Sequence, residues 1–185
     1  MGIRVDWEYL KTISDSDERK LILADLMAKF GNDVWNYAYS LTRKKDLADD
    51  ISQDVFLKAY RGLFSLRKDG SMKAWLLTIT RNTAADYRRS AFFRRVTLFD
   101  TFDSTSTQCS AEDTALERMS LSGIWDQVLQ LPVKYREVLI LFGHHQLSMK
   151  EIAEILGITE GTVKSRLFQA RAKIMKMKEV EANEP

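Results

Sequence analysis

The segment from Ser148 to Met175 constrains the fold more than any other part of this sequence, because it has the pattern of a helix-turn-helix. Ser148, with Glu151 in the next helical turn, is typical of a capping box at a helix start. Gly157 suits the left-handed conformation that ends a helix, and Thr159 can cap the next one. Apolar residues recur at helical spacing through both predicted helices, at Ile152, Ala153, Ile155, Leu156, Val163, Leu167, Ala170 and Ile174. An ordinary helical hairpin is the alternative.

The second predicted helix of this pair has an outward face that suits the major groove of DNA. Small residues allow close approach, cations bind phosphates, and polar or apolar tips contact base edges. Phe168 lies away from the apolar stripe, where a thymine methyl group would be a natural partner. The candidate DNA contacts on this helix are Thr162, Lys164, Ser165, Arg166, Phe168, Gln169 and Arg171.

Charge is strongly segregated along the 185 residues, although the formal net charge is only +2. Residues 73–95 and 161–178 are rich in Lys and Arg, whereas the stretch from Asp100 to Glu117 has acids and no cation. This order is typical of two polyanion-binding surfaces joined by an acidic tether. For either basic block alone, a solvated helix face is the alternative interpretation.

Several classes of function have no support in the sequence. No apolar run approaches the roughly 20 residues of a membrane span, and no secretion signal is evident. Cys109 is the only cysteine, which suits a reducing cytoplasm. His144 and His145 lack nearby Cys or spaced carboxylates, so we interpret them as helix-end or surface residues. We therefore expect no metal site, no cofactor, no small-molecule substrate and no catalytic residue, and hence no enzyme.

The remaining sequence reads as helices separated by polar segments. Apolar spacing predicts one long or two short helices from Asp15 to Thr42, and another from Asp46 to Phe64. Residues 65–70 read as a loop, after which Ser71 can cap a helix with Met72, Trp75, Leu76 and Ile79 on one face. The Ser-, Thr- and Asp-rich stretch 100–110 reads as a linker. The sequence thus predicts an all-α protein.

Residues 131–141, 147–158 and 159–171 closely resemble domain four of the extracytoplasmic-function (ECF) sigma factors, in the sigma-70 family of RNA polymerase subunits. This resemblance implies that the domain binds the minus-thirty-five promoter element and docks on the flap of the polymerase beta subunit.

The helix from Asp46 to Tyr60 resembles the segment of sigma domain two that grips the beta-prime clamp of the polymerase. Its outward face gathers acids and an amide around Leu57, a composition typical of a protein-binding surface. The predicted polymerase contacts are Asp50, Gln53, Asp54 and Leu57. A solvated acidic face with one stray leucine is the alternative.

Residues 70–89 are similar to the family's promoter-melting and minus-ten segment. The resemblance implies that Asn82, with the loop 65–70, holds a flipped base. We interpret Trp75 as a core residue and Asp86 as the partner of a cation, whereas Tyr87 faces toward phosphates. The candidate minus-ten contacts are Arg67, Lys68, Lys73, Arg81, Asn82, Arg88 and Arg89.

Together the resemblances imply a cytoplasmic sigma factor with two small helical domains, residues 15–96 and 116–180, joined by a flexible linker, residues 97–115. Its expected partners are core RNA polymerase, promoter DNA and an anti-sigma factor that can hold it at the membrane. A helix-turn-helix regulator of the response or quorum type is the alternative, and it would need a receiver or sensor domain before residue 120. A partner-binding protein that does not read DNA is a third interpretation.

Overall fold

The structure is a computed structural model that describes residues 16–63, 71–97 and 124–182. All regular elements within these ranges are helices. Three lie in the first part of the chain and four in the second. They are α1 Ser16–Thr42, α2 Lys45–Gly62, α3 Met72–Thr97, α4 Ile124–Gln130, α5 Val133–Gly143, α6 Met149–Leu156 and α7 Glu160–Ala182.

The first three helices pack against one another around a common core. Helix α1 is one continuous helix of 27 residues rather than two shorter ones. Tyr37, Ile51 and Leu76, one from each helix, are among the largest fully buried side chains. Burial of such residues supplies the main driving force for this packing, since each contributes on the order of 1.5–3 kcal/mol.

The buried side of α3 is rotated relative to the sequence prediction. Met72, Trp75 and Ile79 are only partly buried, although they do pack against the core as expected. The fully or nearly fully buried residues are Leu76, Leu77, Thr80, Thr83 and Ala84. Leu77 and Thr80 lie next to Lys73 and Arg81 on the helix. The side of α3 that carries these two predicted DNA contacts is therefore partly covered by protein.

The second part of the chain contains the predicted helix-turn-helix, formed by α6 and α7. Ser148 accepts a hydrogen bond from the Glu151 backbone N–H, and the Glu151 side chain accepts one from the Ser148 backbone, which confirms the capping box. Gly157 has φ of 64° and ψ of 39°, the predicted left-handed end of α6. The Thr162 N–H donates to Thr159 Oγ1 at 3.2 Å, as expected for a cap.

The two helical units contact each other directly, a contact that was not predicted from the sequence. Helix α1 packs against α5, and α3 packs against α6. The buried apolar residues of both units belong to one connected cluster. The predicted loop 65–70 and linker 97–115, with Cys109, lie outside the residues whose side chains are described. No helix in the described ranges is both long and apolar enough to cross a bilayer.

We expect Gly157→Ala to lower the free energy of unfolding by about 1–2 kcal/mol, because a Cβ strains the left-handed conformation. Gly161→Ala is the matched control: its added Cβ would meet Thr159 Oγ1 at an ordinary 3.9 Å, inside a helix. Its unfolding free energy should stay unchanged or rise by up to about 1 kcal/mol. Urea unfolding of both variants measures this, and equal losses would contradict the assigned role of Gly157.

Candidate nucleic-acid and protein interfaces

Helix α7 has one buried and one exposed side, as its sequence predicts. Val163, Leu167 and Ala170 are buried against α5 and α6. The opposite side carries most of the predicted minus-thirty-five contacts. Lys164, Ser165, Gln169 and Arg171 are exposed, Phe168 is 76% exposed, and Thr162 and Arg166 are partly buried.

Two cations of α7 rest on aromatic rings of α5. The Arg171 guanidinium carbon lies 5.5 Å from the centre of the Phe142 ring, and Lys173 Nζ lies 5.6 Å from that of Tyr135. These cation–π contacts hold both side chains toward the body of the domain. Lys164 is exposed on the outward side of α7 and can reach a phosphate.

The four predicted polymerase contacts lie together on one face of α2. Leu57 is 54% exposed, Asp50 and Gln53 are exposed, and Asp54 is half-buried. The Tyr87 hydroxyl donates to Asp54 Oδ2 at 2.9 Å, so this phenol is bound to α2 and does not face toward phosphates as predicted. Burial and this hydrogen bond raise the pKa of Tyr87. Asp54 therefore also fixes α3 against α2.

The predicted minus-ten residues fall into two groups. Asn82 and Arg88 are exposed, and Arg89 is paired with Asp86, which also lies 3.8 Å from Lys58. Asp86 is thus the cation partner that the sequence predicted. Arg67 and Lys68 lie outside the described residues.

The other two cations of α3, Lys73 and Arg81, are bound by carboxylates. Lys73 Nζ lies 3.1 Å from Asp33 Oδ1, and Arg81 Nε lies 3.2 Å from Glu137 Oε1. Glu137 belongs to the second unit, where its side chain is only 7% exposed. An acid of one unit therefore neutralises a predicted DNA-binding cation of the other.

A buried arginine joins the two units beside this ion pair. Arg136 Nη1 donates to the Ser40 carbonyl at 2.6 Å, while Nε and Nη2 donate to the Leu131 carbonyl at 3.2 and 3.0 Å. We use the name domain interface for the contacts of Asp33, Ser40, Arg81, Arg136, Glu137 and His145. Sequence reasoning missed it, although the charged pair Arg136–Glu137 inside an apolar helix was a usable signal.

The two histidines do not both lie at the surface. His144 is the C-cap of α5, as predicted, but His145 is 3% exposed. Its Nδ1 lies 3.3 Å from Asp33 Oδ1, so the expectation that no carboxylate supports these histidines was wrong. Burial lowers the pKa of His145, and the hydrogen bond with His145 together with Lys73 lowers that of Asp33. The spacing of 112 residues explains why no sequence pattern indicated this pair.

An apolar groove opens between α4, α5 and α7. Its volume is about 510 Å³, and Trp125, Leu139, Ile140 and Met175 contribute to its walls. Met175 is 63% exposed at its edge. Exposed apolar surface of this kind is typical of a protein-binding site.

Comparison with known proteins places this geometry in a family. The family models for sigma-70 region 2 and sigma-70 region 4 match residues 26–92 and 122–174. The ECF RNA polymerase sigma factor SigM of Bacillus subtilis is 30% identical over 154 residues, or 83% of this chain and 93% of SigM. SigL of Mycobacterium tuberculosis, another ECF sigma factor, is 35% identical over 140 residues, or 74% of this chain and 77% of SigL. The chain belongs to the ECF sigma factors.

Two solved structures share the fold. RpoE of Bartonella quintana, determined in complex with the anti-sigma factor NepR, aligns with a TM-score of 0.66 and 27% identity over 90% of this chain and 99% of that one. CnrH, determined with the cytosolic domain of CnrY, has a TM-score of 0.65 and 23% identity over 96% of each chain. These matches confirm the predicted all-α fold, and they do not favour a response or quorum regulator.

For this ECF sigma factor, we expect Leu57→Asp to weaken binding to core RNA polymerase by roughly tenfold or more. The substitution removes an apolar contact from the α2 face and adds a charge there. Leu21→Asp is the matched control, since Leu21 is also exposed, at 68%, but lies on α1. Competition with a labelled sigma factor for core polymerase measures both affinities. Equal affinities of the two variants for core polymerase would show that Leu57 is not part of the polymerase-binding surface.

Proposed function

We propose that this sigma factor contacts polymerase through α2 and the apolar groove, and promoter DNA through α3 and α7. As an ECF sigma factor, it binds core RNA polymerase and directs it to promoters. We propose domain two at residues 15–96, a linker at 97–115 and domain four at 116–180. The observation that carries the assignment of α7 is its outward face, where Phe168 is 76% exposed among polar and cationic side chains.

The minus-thirty-five element would be read by the exposed side of α7. Thr162, Ser165 and Arg166 lie in its first turns, which is the part of a recognition helix that reaches base edges. Lys164, in the same turns, would bind a phosphate. The aromatic ring of Phe168 suits a thymine methyl group, whereas Gln169 suits the paired donor and acceptor of adenine. Arg171 would contact DNA only after leaving the Phe142 ring, against which it is held in this structure.

The minus-ten element would be opened by α3. Asn82 is exposed and has both a donor and an acceptor for the edge of a flipped base. Capture of that base would offset the few kcal/mol that unstacking costs. Lys73, Arg81, Arg88 and Arg89, with Arg67 and Lys68 of the preceding loop, would bind the phosphates around it.

Two protein surfaces would bind the polymerase. The α2 face of Asp50, Gln53, Asp54 and Leu57 combines an apolar side chain with acids, which suits a partly basic surface on the beta-prime clamp. The groove bounded by Trp125, Leu139 and Met175 suits an apolar element of the beta flap. Neither surface involves an enzyme-type site, so RNA synthesis would be left to the polymerase.

The domains must separate for both promoter elements to be read. Elements centred roughly 25 base pairs apart are separated by about 85 Å of duplex at 3.4 Å per base pair. Helix α7, with 23 residues, is only about 35 Å long. Because α3 contacts α6 and Arg81 is paired with Glu137, the arrangement described here is closed. We therefore propose that polymerase binds an open form.

An anti-sigma factor would act on this equilibrium in the cell. The similar structure of RpoE contains the anti-sigma factor NepR, and that of CnrH contains the cytosolic domain of CnrY. We propose that such a partner binds this chain in the cytoplasm, covers polymerase-binding surfaces and can retain it at the membrane.

The test of the proposed function is transcription in a purified system. Core polymerase with this protein should start transcripts at promoters that core alone does not use. Asn82→Ala should reduce open-complex formation more than closed-complex binding, whereas an equal loss of both would make Asn82 a simple binding residue. No promoter-dependent transcript with the parent protein, from any sequence of a randomised promoter library, would contradict the proposal.

We expect Gln169→Arg to shift the preferred base within the minus-thirty-five element toward guanine at one position, by roughly 1–3 kcal/mol. Arginine pairs with the two acceptors of guanine, whereas glutamine suits adenine. Lys164→Ala is the control, because loss of a phosphate contact should weaken binding to all sequences alike and reduce its salt dependence. Selection from a randomised element measures both, and an unchanged selected sequence with Gln169→Arg would show that Gln169 does not read a base.

A further inference from the structure

Three metal-ligating side chains from the two domains meet at the domain interface. Asp33 lies on α1 of domain two, whereas His144 and His145 end α5 of domain four. One donor atom from each side chain lies within 4.8 Å of the others. Asp33 and His145 lie outside the surfaces assigned above to polymerase and promoter binding, whereas His144 also lines the apolar groove proposed for the beta flap.

The spacing of the closest pair is that of two ligands on one metal ion. In a tetrahedral zinc site, bonds of about 2.0–2.1 Å place neighbouring donors about 3.3–3.4 Å apart. His145 Nδ1 and Asp33 Oδ1 are 3.3 Å apart. His144, half-buried at the helix end, supplies the third donor, which lies within 4.8 Å of the other two. Binding of one ion would require this donor to move closer to them.

The donor set selects the class of ion. Two imidazoles and one carboxylate are typical ligands of Zn²⁺ and of its first-row neighbours, whereas Mg²⁺ and Ca²⁺ prefer oxygen alone. The His145 side chain is fully buried, and its Nε2 has no hydrogen-bond partner within the described part of the chain. With the proton on Nε2, the Nδ1 lone pair would face Asp33 Oδ1, and a metal ion could lie between these two atoms.

Lys73 is the competing cation at this cluster. Its Nζ lies 3.1 Å from the same Asp33 oxygen, so it balances the carboxylate when no metal is bound. Its side chain is 26% exposed, which gives the flexible ammonium a path to solvent when a metal takes its place. Metal and Lys73 repel each other, so removal of the lysine charge should strengthen metal binding. If the cluster were only a hydrogen-bonded network and bound no metal, removal of the lysine charge would not produce metal binding.

We propose that Asp33, His144 and His145 bind one divalent first-row transition metal, with Zn²⁺ as the reference ion, and that the metal locks the two domains together. The ligands come from both domains, so the ion binds fully only in the closed form, and binding shifts the equilibrium toward that form. This regulatory half rests on the proposed function, because the closed form keeps α3 against α6 and Arg81 on Glu137. The bound metal ion, which favours the closed form, would therefore reduce promoter-dependent transcription by this sigma factor.

Metal binding is tested on the free, full-length protein in a Cys109→Ser background, which removes the one thiol. Co²⁺, whose visible absorption reports its ligands, is titrated into chelator-treated protein and then displaced with Zn²⁺. We expect one ion per chain. Asp33→Asn and His144→Gln should each weaken binding by roughly tenfold or more, Lys73→Gln should strengthen it, and the exposed Asp25→Asn on the same helix should leave it unchanged. No saturable binding, or equal binding by the parent and both ligand variants, would overturn the site.

The regulatory role is tested by transcription with core polymerase in excess Mg²⁺, which polymerase catalysis requires, with a zinc-selective chelator or with Zn²⁺ added. The parent should lose transcription on addition of Zn²⁺, whereas Asp33→Asn should keep it under the same conditions, which controls for effects of zinc on the polymerase. Equal inhibition of the two would overturn the regulatory role. Absence of transcription by both in chelator would count against the proposed function instead, while the Co²⁺ titration would still decide the site.

Discussion

The arrangement of the two domains depends on the buried guanidinium of Arg136. This side chain makes hydrogen bonds to the carbonyls of Leu131, within its own domain, and of Ser40, in the other domain. A buried charge is costly unless it is hydrogen-bonded, so the guanidinium requires these acceptors. Burial lowers its pKa, yet arginine keeps its proton under ordinary conditions. When the domains separate, water can replace the Ser40 carbonyl as the hydrogen-bond acceptor of Arg136. The interface can therefore open without leaving the guanidinium charge buried and unpaired.

The contacts around Arg136 connect this interface to DNA binding. Glu137 is paired with Arg81, and Asp33 with Lys73, the two cations that we propose to bind promoter phosphates. These ion pairs are partly exposed on the lysine and arginine sides, so each contributes little alone, on the order of 0–1 kcal/mol. Small individual contributions suit a switch, because polymerase and DNA can replace them with contacts of similar strength. We therefore propose that the domain interface and the promoter compete for the same cations.

The features within single helices were predictable from the sequence. The capping box of Ser148 and Glu151, the left-handed Gly157 and the buried stripe with Val163 all depend on neighbours within one or two helical turns. Their pattern is therefore visible without knowledge of the fold. The exposed Leu57 among acids was predictable for the same reason.

The domain interface was not predictable in this way. Arg81 and Glu137 are separated by 56 residues, and Arg136 and Ser40 by 96, so no periodicity relates them. Basic residues such as Lys73 looked like free cations because the sequence cannot show which acid lies opposite. The rotation of α3, which buries Leu77 and Thr80, likewise follows from packing against neighbouring helices rather than from the helix itself.

The distance between the two domains tests most directly whether they separate when polymerase and promoter bind. Spin labels at exposed positions, Asp25 on α1 and Glu154 on α6, in a Cys109→Ser background, would report it before and after assembly with polymerase on promoter DNA. We expect one short distance between the labels in the free protein. In the promoter complex this distance should be longer by several tens of ångströms, because the spacing of the two promoter elements requires it. The same short distance in both states would contradict it.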